Sequence, residues 1–92
     1  MVIPNKSMST AKSRAKMSKN IAMQKAVFNL THTAVLTAAF FSEDWSVLRM
    51  ASEDKMHQNL RMNGMRELYQ VQKTALLNGA LMSTLSGSGS SF

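Results

Sequence analysis

Cysteine is absent from the 92 residues, which excludes a disulfide framework and any thiolate metal site, and fits a reducing, cytoplasmic compartment. Proline occurs once, as Pro4, and ends whatever Val2-Ile3 belong to, because it lacks the N–H that a central strand requires. Long apolar runs are lacking too. The strongest lies within residues 34–41 and is broken by Thr37, far short of the roughly 18 residues a membrane-spanning helix needs, so no membrane partner is expected. A chain this short buries only about 60–65% of its unfolded surface, which leaves room for one small domain and excludes a large autonomous enzyme. Aromatics are few, and Phe28, Phe40, Phe41, Trp45, Tyr69 and Phe92 stand apart from the basic segment. That separation counts against a single-strand nucleic-acid platform, which stacks bases on rings beside its positive charge.

Acid is missing from the first quarter. Residues 1–25 hold Lys6, Lys12, Arg14, Lys16, Lys19 and Lys25 with no Asp or Glu, whereas residues 26–92 set five bases against five acids, so the whole formal charge of +6 lies at the start. One reading is a small basic nucleic-acid-binding protein that lays residues 6–25 on phosphates, with affinity falling steeply as salt is added. The acid-free start also has the look of a transit peptide, although it opens with an extended Val2-Ile3-Pro4-Asn5.

Along the chain, residues 5–20 are polar, basic and without apolar period, and are expected to form a long loop, of a length that is often functional, with one helical turn around Ala11 to Met17. Helical spacing of Ile21, Val27, Leu30, Ala34, Val35, Ala38 and Phe41 predicts a helix over 21–41, apolar nearly all round in its second half and therefore central and buried. Ser42 is the expected N-cap of a helix over 42–54, which carries Trp45, Leu48 and Met50 inward. Residues 55–64 form a second polar connection. Met65, Leu68, Val71, Ala75 and Leu76 mark a helix over 65–78 that ends at Asn78-Gly79. Alternation over 80–85 predicts a strand, followed by the glycine-rich motif 86–91. A strand tail at one end and a strand-to-loop signal at the other suggest a piece of a larger protein.

The Ser86-Gly87-Ser88-Gly89-Ser90-Ser91 segment has the chemistry of a phosphate-binding turn, in which glycines let backbone N–H groups converge and serines add donors; a Gly/Ser linker is the plainer alternative. Arg14 and Arg61 sit in the two polar connections, where a planar guanidinium suits bidentate binding of carboxylate or phosphate, and Thr10 lies four residues before Arg14. His57 could reach a site from the second connection, though a capping role suits it as well, while His32 falls in mid-helix. Neither histidine has partners at metal-ligand spacing, so no metal site is assigned. The nine methionines follow no common spacing and read as core filler.

Taken in order, Val2-Ile3-Pro4-Asn5, Ser9-Thr10 with Arg14, Ala26-Val27-Phe28-Asn29-Leu30, Asp54-Lys55-Met56-His57-Gln58 with Arg61, and Leu85-Ser86-Gly87-Ser88-Gly89 resemble the C-terminal part of the homoserine kinases of the GHMP small-molecule kinase superfamily. The family commonly follows its glycine motif with Pro-Thr or Pro-Ser, where this chain has Ser90-Ser91. The resemblance implies transfer of the γ-phosphoryl group of ATP to the hydroxyl of L-homoserine, a step of threonine biosynthesis. It implies that Thr10, Arg14 and Arg61 hold the amino-acid substrate, the arginines at its carboxylate. Gly87, Ser88 and Gly89 would lie beside substrate and nucleotide phosphates, with His57 behind them. The family's main ATP loop and the acid that holds Mg²⁺ have no counterpart in these residues, so the 92 residues are expected to be inactive alone, and no catalytic residue is assigned.

The implied fold is α+β, part of a ferredoxin-like C-terminal domain with three main helices on short strands. An incomplete sheet and uncovered helix faces would favour self-association. A helical interaction module is a further reading. On a loop holding Thr10 and Arg14, the early positive charge acts as a funnel for two anions, an amino-acid carboxylate and ATP.

Overall fold

The computed structural model describes residues 1–92, and its regular structure is entirely helical. The basic segment folds one short helix, α1 (Thr10–Ala15), which Ser9 caps by accepting the Lys12 N–H at 3.3 Å. The long helix α2 runs over Met23–Ser42. Ser42 does not cap the next helix. Its hydroxyl donates back to the Ala38 carbonyl at 2.8 Å, and the helix stops at Glu43, which is left-handed at φ 55°. Asp44 takes over the capping role by accepting the Ser46 N–H at 3.2 Å, and opens a 3₁₀ turn at Trp45–Val47 that continues as α3 (Leu48–Ala51).

The polar stretch after α3 contains a further helix, α4 (Gln58–Met62), whose signal is hidden because five residues are too few to show a period. The last helix, α5 (Glu67–Leu77), ends at Asn78-Gly79. Gly79 has φ 93°, the Ala80 N–H reaches the Ala75 carbonyl at 3.0 Å and the Gly79 N–H the Leu76 carbonyl at 3.4 Å, which is the paired closure of a Schellman motif.

The expected strands do not form. Residues 80–85 have no neighbouring strand to pair with, and side chains serve in its place. The Ser83 carbonyl accepts from Gln72 Nε2 at 2.9 Å, and the Leu85 N–H donates to Gln58 Oε1 at 2.9 Å. Val2 and Phe92 exchange two backbone hydrogen bonds, 2.8 and 2.9 Å, the closest the chain comes to a ladder. The short strands of the partial ferredoxin-like domain that the resemblance implies are accordingly absent from these 92 residues.

The main core gathers Met62, Met65, Leu68 and Leu85, with Met8, Tyr69 and Phe92 packed against it, so it joins α4 and α5 to both ends of the chain. Ala39, Leu48 and Ala51 are buried where α2 meets α3. The molecule is a plate, 36 × 34 × 18 Å, and this overturns the expectation of a buried central helix. α2 finds partners on one side only. Its other side presents Met23, Val27, Leu30 and Phe41 outward, Leu30 at 72% and Phe41 at 89% exposure. Trp45 and Met50, expected inward, are exposed for the same reason, and only Leu48 of that trio is buried.

Candidate functional site

α4 is the element that organises the site, and Asp54 starts it. One carboxylate oxygen of Asp54 accepts the His57 N–H at 2.8 Å and the Gln58 N–H at 2.7 Å, satisfying donors at the helix N-terminus that have no partner within the helix. The other oxygen accepts from Asn29 Nδ2 at 2.6 Å, and the Asn29 side-chain oxygen takes the Lys55 N–H at 2.9 Å. These bonds tie α2 to the start of α4. Burial by itself would raise the Asp54 pKa, but the hydrogen bonds from Gln58, His57 and Asn29, with the nearby His57 charge, outweigh it and hold the carboxyl below its ordinary value.

One helical turn on, α4 delivers Arg61 to the glycine-rich segment. Arg61 Nη1 donates to the Gly87 carbonyl at 3.4 Å, Nη2 lies 3.5 Å from the Met17 sulfur, and Nε is buried with no acceptor. No acid pairs with it. The one contact within 4 Å between a basic and an acidic side chain is His57 Nε2 with Asp54, at 3.9 Å. Arg61 is thus a half-buried cation whose neighbours are a long carbonyl contact and a thioether, so its five donors are far from satisfied.

The glycine-rich segment curls beside it. The Gly89 N–H reaches the Ser86 carbonyl at 3.0 Å and the Ser86 N–H the Ser91 carbonyl at 2.9 Å, with Gly87 at φ 56° and Gly89 at φ 85°. A Cβ on Gly89 would meet Met8 Cε, the movable end of a flexible side chain, so the left-handed backbone is what calls for glycine at this position. Across the gap, the Thr10 and Ser88 hydroxyls lie 2.9 Å apart. The structure therefore brings Thr10, Arg61, Gly87, Ser88 and Gly89 together, from α1, α4 and the chain's last turn. Arg61 meets the turn at the Gly87 carbonyl and Thr10 meets it at Ser88, so an acid-free guanidinium and two hydroxyls share one turn, a chemistry suited to a small anion.

Two expected residues stand elsewhere. Arg14 is exposed on α1, one turn beyond Thr10, and its side chain makes no hydrogen bond. His57 lies at the opposite end of α4 from Arg61, with its Nδ1 buried and unpartnered, and lines an open groove of about 510 Å³ with Lys25, Lys55 and Asn59. His32 stacks on Phe28 with ring centroids 3.7 Å apart. Sequence reasoning passed over Asp54, Asn29 and Gln58 as site residues. An Asp three residues before His57 was the available signal, since a short acidic side chain there reaches the first free N–H groups of a helix. No group of three His, Cys, Asp or Glu that could ligate a metal ion occurs in the chain.

No family model matches the chain. Among curated proteins it is 58% identical over all 92 residues to a homoserine kinase of Nitratiruptor sp., 56% identical over 92 residues to that of Campylobacter concisus, and 55% identical over 92 residues to that of Wolinella succinogenes. The chain is homologous to the homoserine kinases. It spans 31% of the length of each of these three relatives. Among solved structures, the homoserine kinase of Cytophaga hutchinsonii superposes with a TM-score of 0.88 at 29% identity, covering 94% of this chain and 27% of that one. The likeness to homoserine kinases extends through every segment of the site, and it gives no support to the nucleic-acid reading of the basic residues. No helix is long and apolar enough to cross a membrane.

Proposed function

We propose that the chain supplies the amino-acid-holding part of an ATP-dependent homoserine kinase that phosphorylates the hydroxyl of L-homoserine in the cytoplasm. The observation that carries this reading is Arg61, a half-buried guanidinium with no acid partner and an orphaned Nε, set against the glycine-rich turn. A substrate carboxylate satisfies such a group bidentately. Thr10 and Ser88 supply hydroxyls to the same small volume, and Arg14 reaches in from α1 when substrate is bound. Lys6, Lys12, Lys16 and Lys19 contribute field rather than contact, drawing in two anions. Gly87, Ser88 and Gly89 stand beside substrate and nucleotide phosphates. Positioning and charge stabilisation are what phosphoryl transfer asks of a protein, and this collection of donors provides part of both.

ATP phosphates and Mg²⁺ are assigned to residues outside these 92, because the relatives are about three times as long and this chain has no carboxylate cluster. The 92 residues alone are accordingly inactive as a kinase. Their uncharged, exposed α2 face favours pairing with a second copy when they are prepared in isolation. The test is ADP release on adding L-homoserine to a protein of the relatives' full length that contains this segment, and to the 92 residues alone. Homoserine-dependent turnover by the longer protein only is the expected result. Turnover by the 92 residues, or none by the longer protein, contradicts the reading.

A further inference from the structure

We propose that Gln58 is the positioning residue that sets the glycine-rich turn against Arg61, an inference that rests on the kinase reading for its functional consequence. Gln58 and Arg61 lie one turn apart on α4. Gln58 is buried, and its Oε1 accepts the buried Leu85 N–H at 2.9 Å. Leu85 is a core residue and immediately precedes Ser86, where the turn carrying Gly87 and Ser88 begins. The same helix therefore grips both partners of the site. At one end Gln58 holds the entry to the turn, and at the other Arg61 contacts the Gly87 carbonyl.

The grip is itself anchored. The Gln58 backbone N–H is held by Asp54 at 2.7 Å, and Asp54 is held by Asn29 of α2 at 2.6 Å. The bonds run without a break from the long helix through Asn29, Asp54 and Gln58 to Leu85 and the turn. Leu85 has no strand beside it, so the Gln58 side chain does for its N–H what a sheet ladder does elsewhere. Removing that acceptor leaves a buried donor without a partner, and the turn must move to find one. A moved turn misplaces the Ser88 hydroxyl relative to Thr10 and the Gly87 carbonyl relative to Arg61, and Thr10 and Arg61 are the groups assigned to the amino acid.

The experiment compares wild type, Gln58→Met and Gln58→Glu in the protein of full relatives' length, reading steady-state kinetics and Leu85 amide hydrogen exchange. Gln58→Met keeps size and removes the acceptor; Gln58→Glu keeps an acceptor oxygen at the same reach. Gln58→Met is expected to raise KM for L-homoserine about ten-fold, raise KM for ATP by clearly less and speed Leu85 exchange, with Gln58→Glu moving the readouts back toward wild type. Unchanged homoserine KM in Gln58→Met overturns the proposal, and so does a parallel rise in both KM values with falling kcat, the mark of general damage. If the wild-type protein does not phosphorylate homoserine, the kinase reading has failed. The Leu85 exchange in Gln58→Met then still decides whether Gln58 holds the turn.

Discussion

The Thr10 and Ser88 hydroxyls meet at 2.9 Å across 78 residues of chain. Neither belongs to the main core, so their approach is imposed by what lies behind them: Met8, two residues before Thr10, packs on the cluster that contains Leu85, three residues before Ser88. The apolar core thus sets the distance between two polar groups of the site, and the turn between them has little room to vary.

Gly89 tests that constraint. Gly89→Ala places a side chain at φ 85° and against Met8, and is expected to destabilise the fold by about 1–2 kcal/mol in denaturant unfolding. Met8→Ala removes core packing of its own, so the comparison is a double-mutant cycle: Gly89→Ala should cost nearly as much in the Met8→Ala background as in wild type, because the backbone conformation is unchanged. Disappearance of the Gly89→Ala cost in that background would show that crowding by Met8 fixes the glycine.

Asp54 makes stability depend on pH in a defined direction. Its folded-state pKa lies below the ordinary carboxylate value, so it contributes stability that is fully present above that value and is lost as pH falls through the folded one. Thermal unfolding followed downward in pH should show a steeper acid loss in wild type than in Asp54→Asn. At neutral pH, Asp54→Ala should cost about 0.5–2 kcal/mol, the range for losing a helix cap.

Burial separates two leucines of α5. Leu68→Ala empties a position that is 1% exposed and should cost about 2–5 kcal/mol, whereas Leu77→Ala, at 75% exposure, should change stability by less than about 0.5 kcal/mol. Comparable losses at both positions would mean that Leu77 is covered in solution.

Much of the site was legible because its residues announce their chemistry one at a time. Thr10, Arg61 and Gly87-Ser88-Gly89 are polar or glycine residues in segments with no apolar period, and they do converge. The stop at Asn78-Gly79 was legible for the same local reason, a left-handed closure that few residues tolerate. What depended on neighbours was harder to read. The α2 pattern has apolar residues on two sides, and periodicity alone does not say which side finds a partner. Residues 80–85 alternate like a strand, yet Gln72 and Gln58 take the hydrogen bonds that a strand would have made. α4 escaped notice because its start depends on the Asp54 carboxylate and its five residues carry no stripe.

Arg61 carries the central claim, and substrate kinetics of Arg61→Ala in the protein of full relatives' length test it most directly. A charge-assisted contact to a carboxylate contributes about 1.5–3 kcal/mol, so KM for L-homoserine should rise about ten-fold or more while KM for ATP stays nearly constant. Arg61→Lys should rescue little, since a single ammonium does not reproduce the bidentate fork. An unchanged homoserine KM in Arg61→Ala would contradict the account.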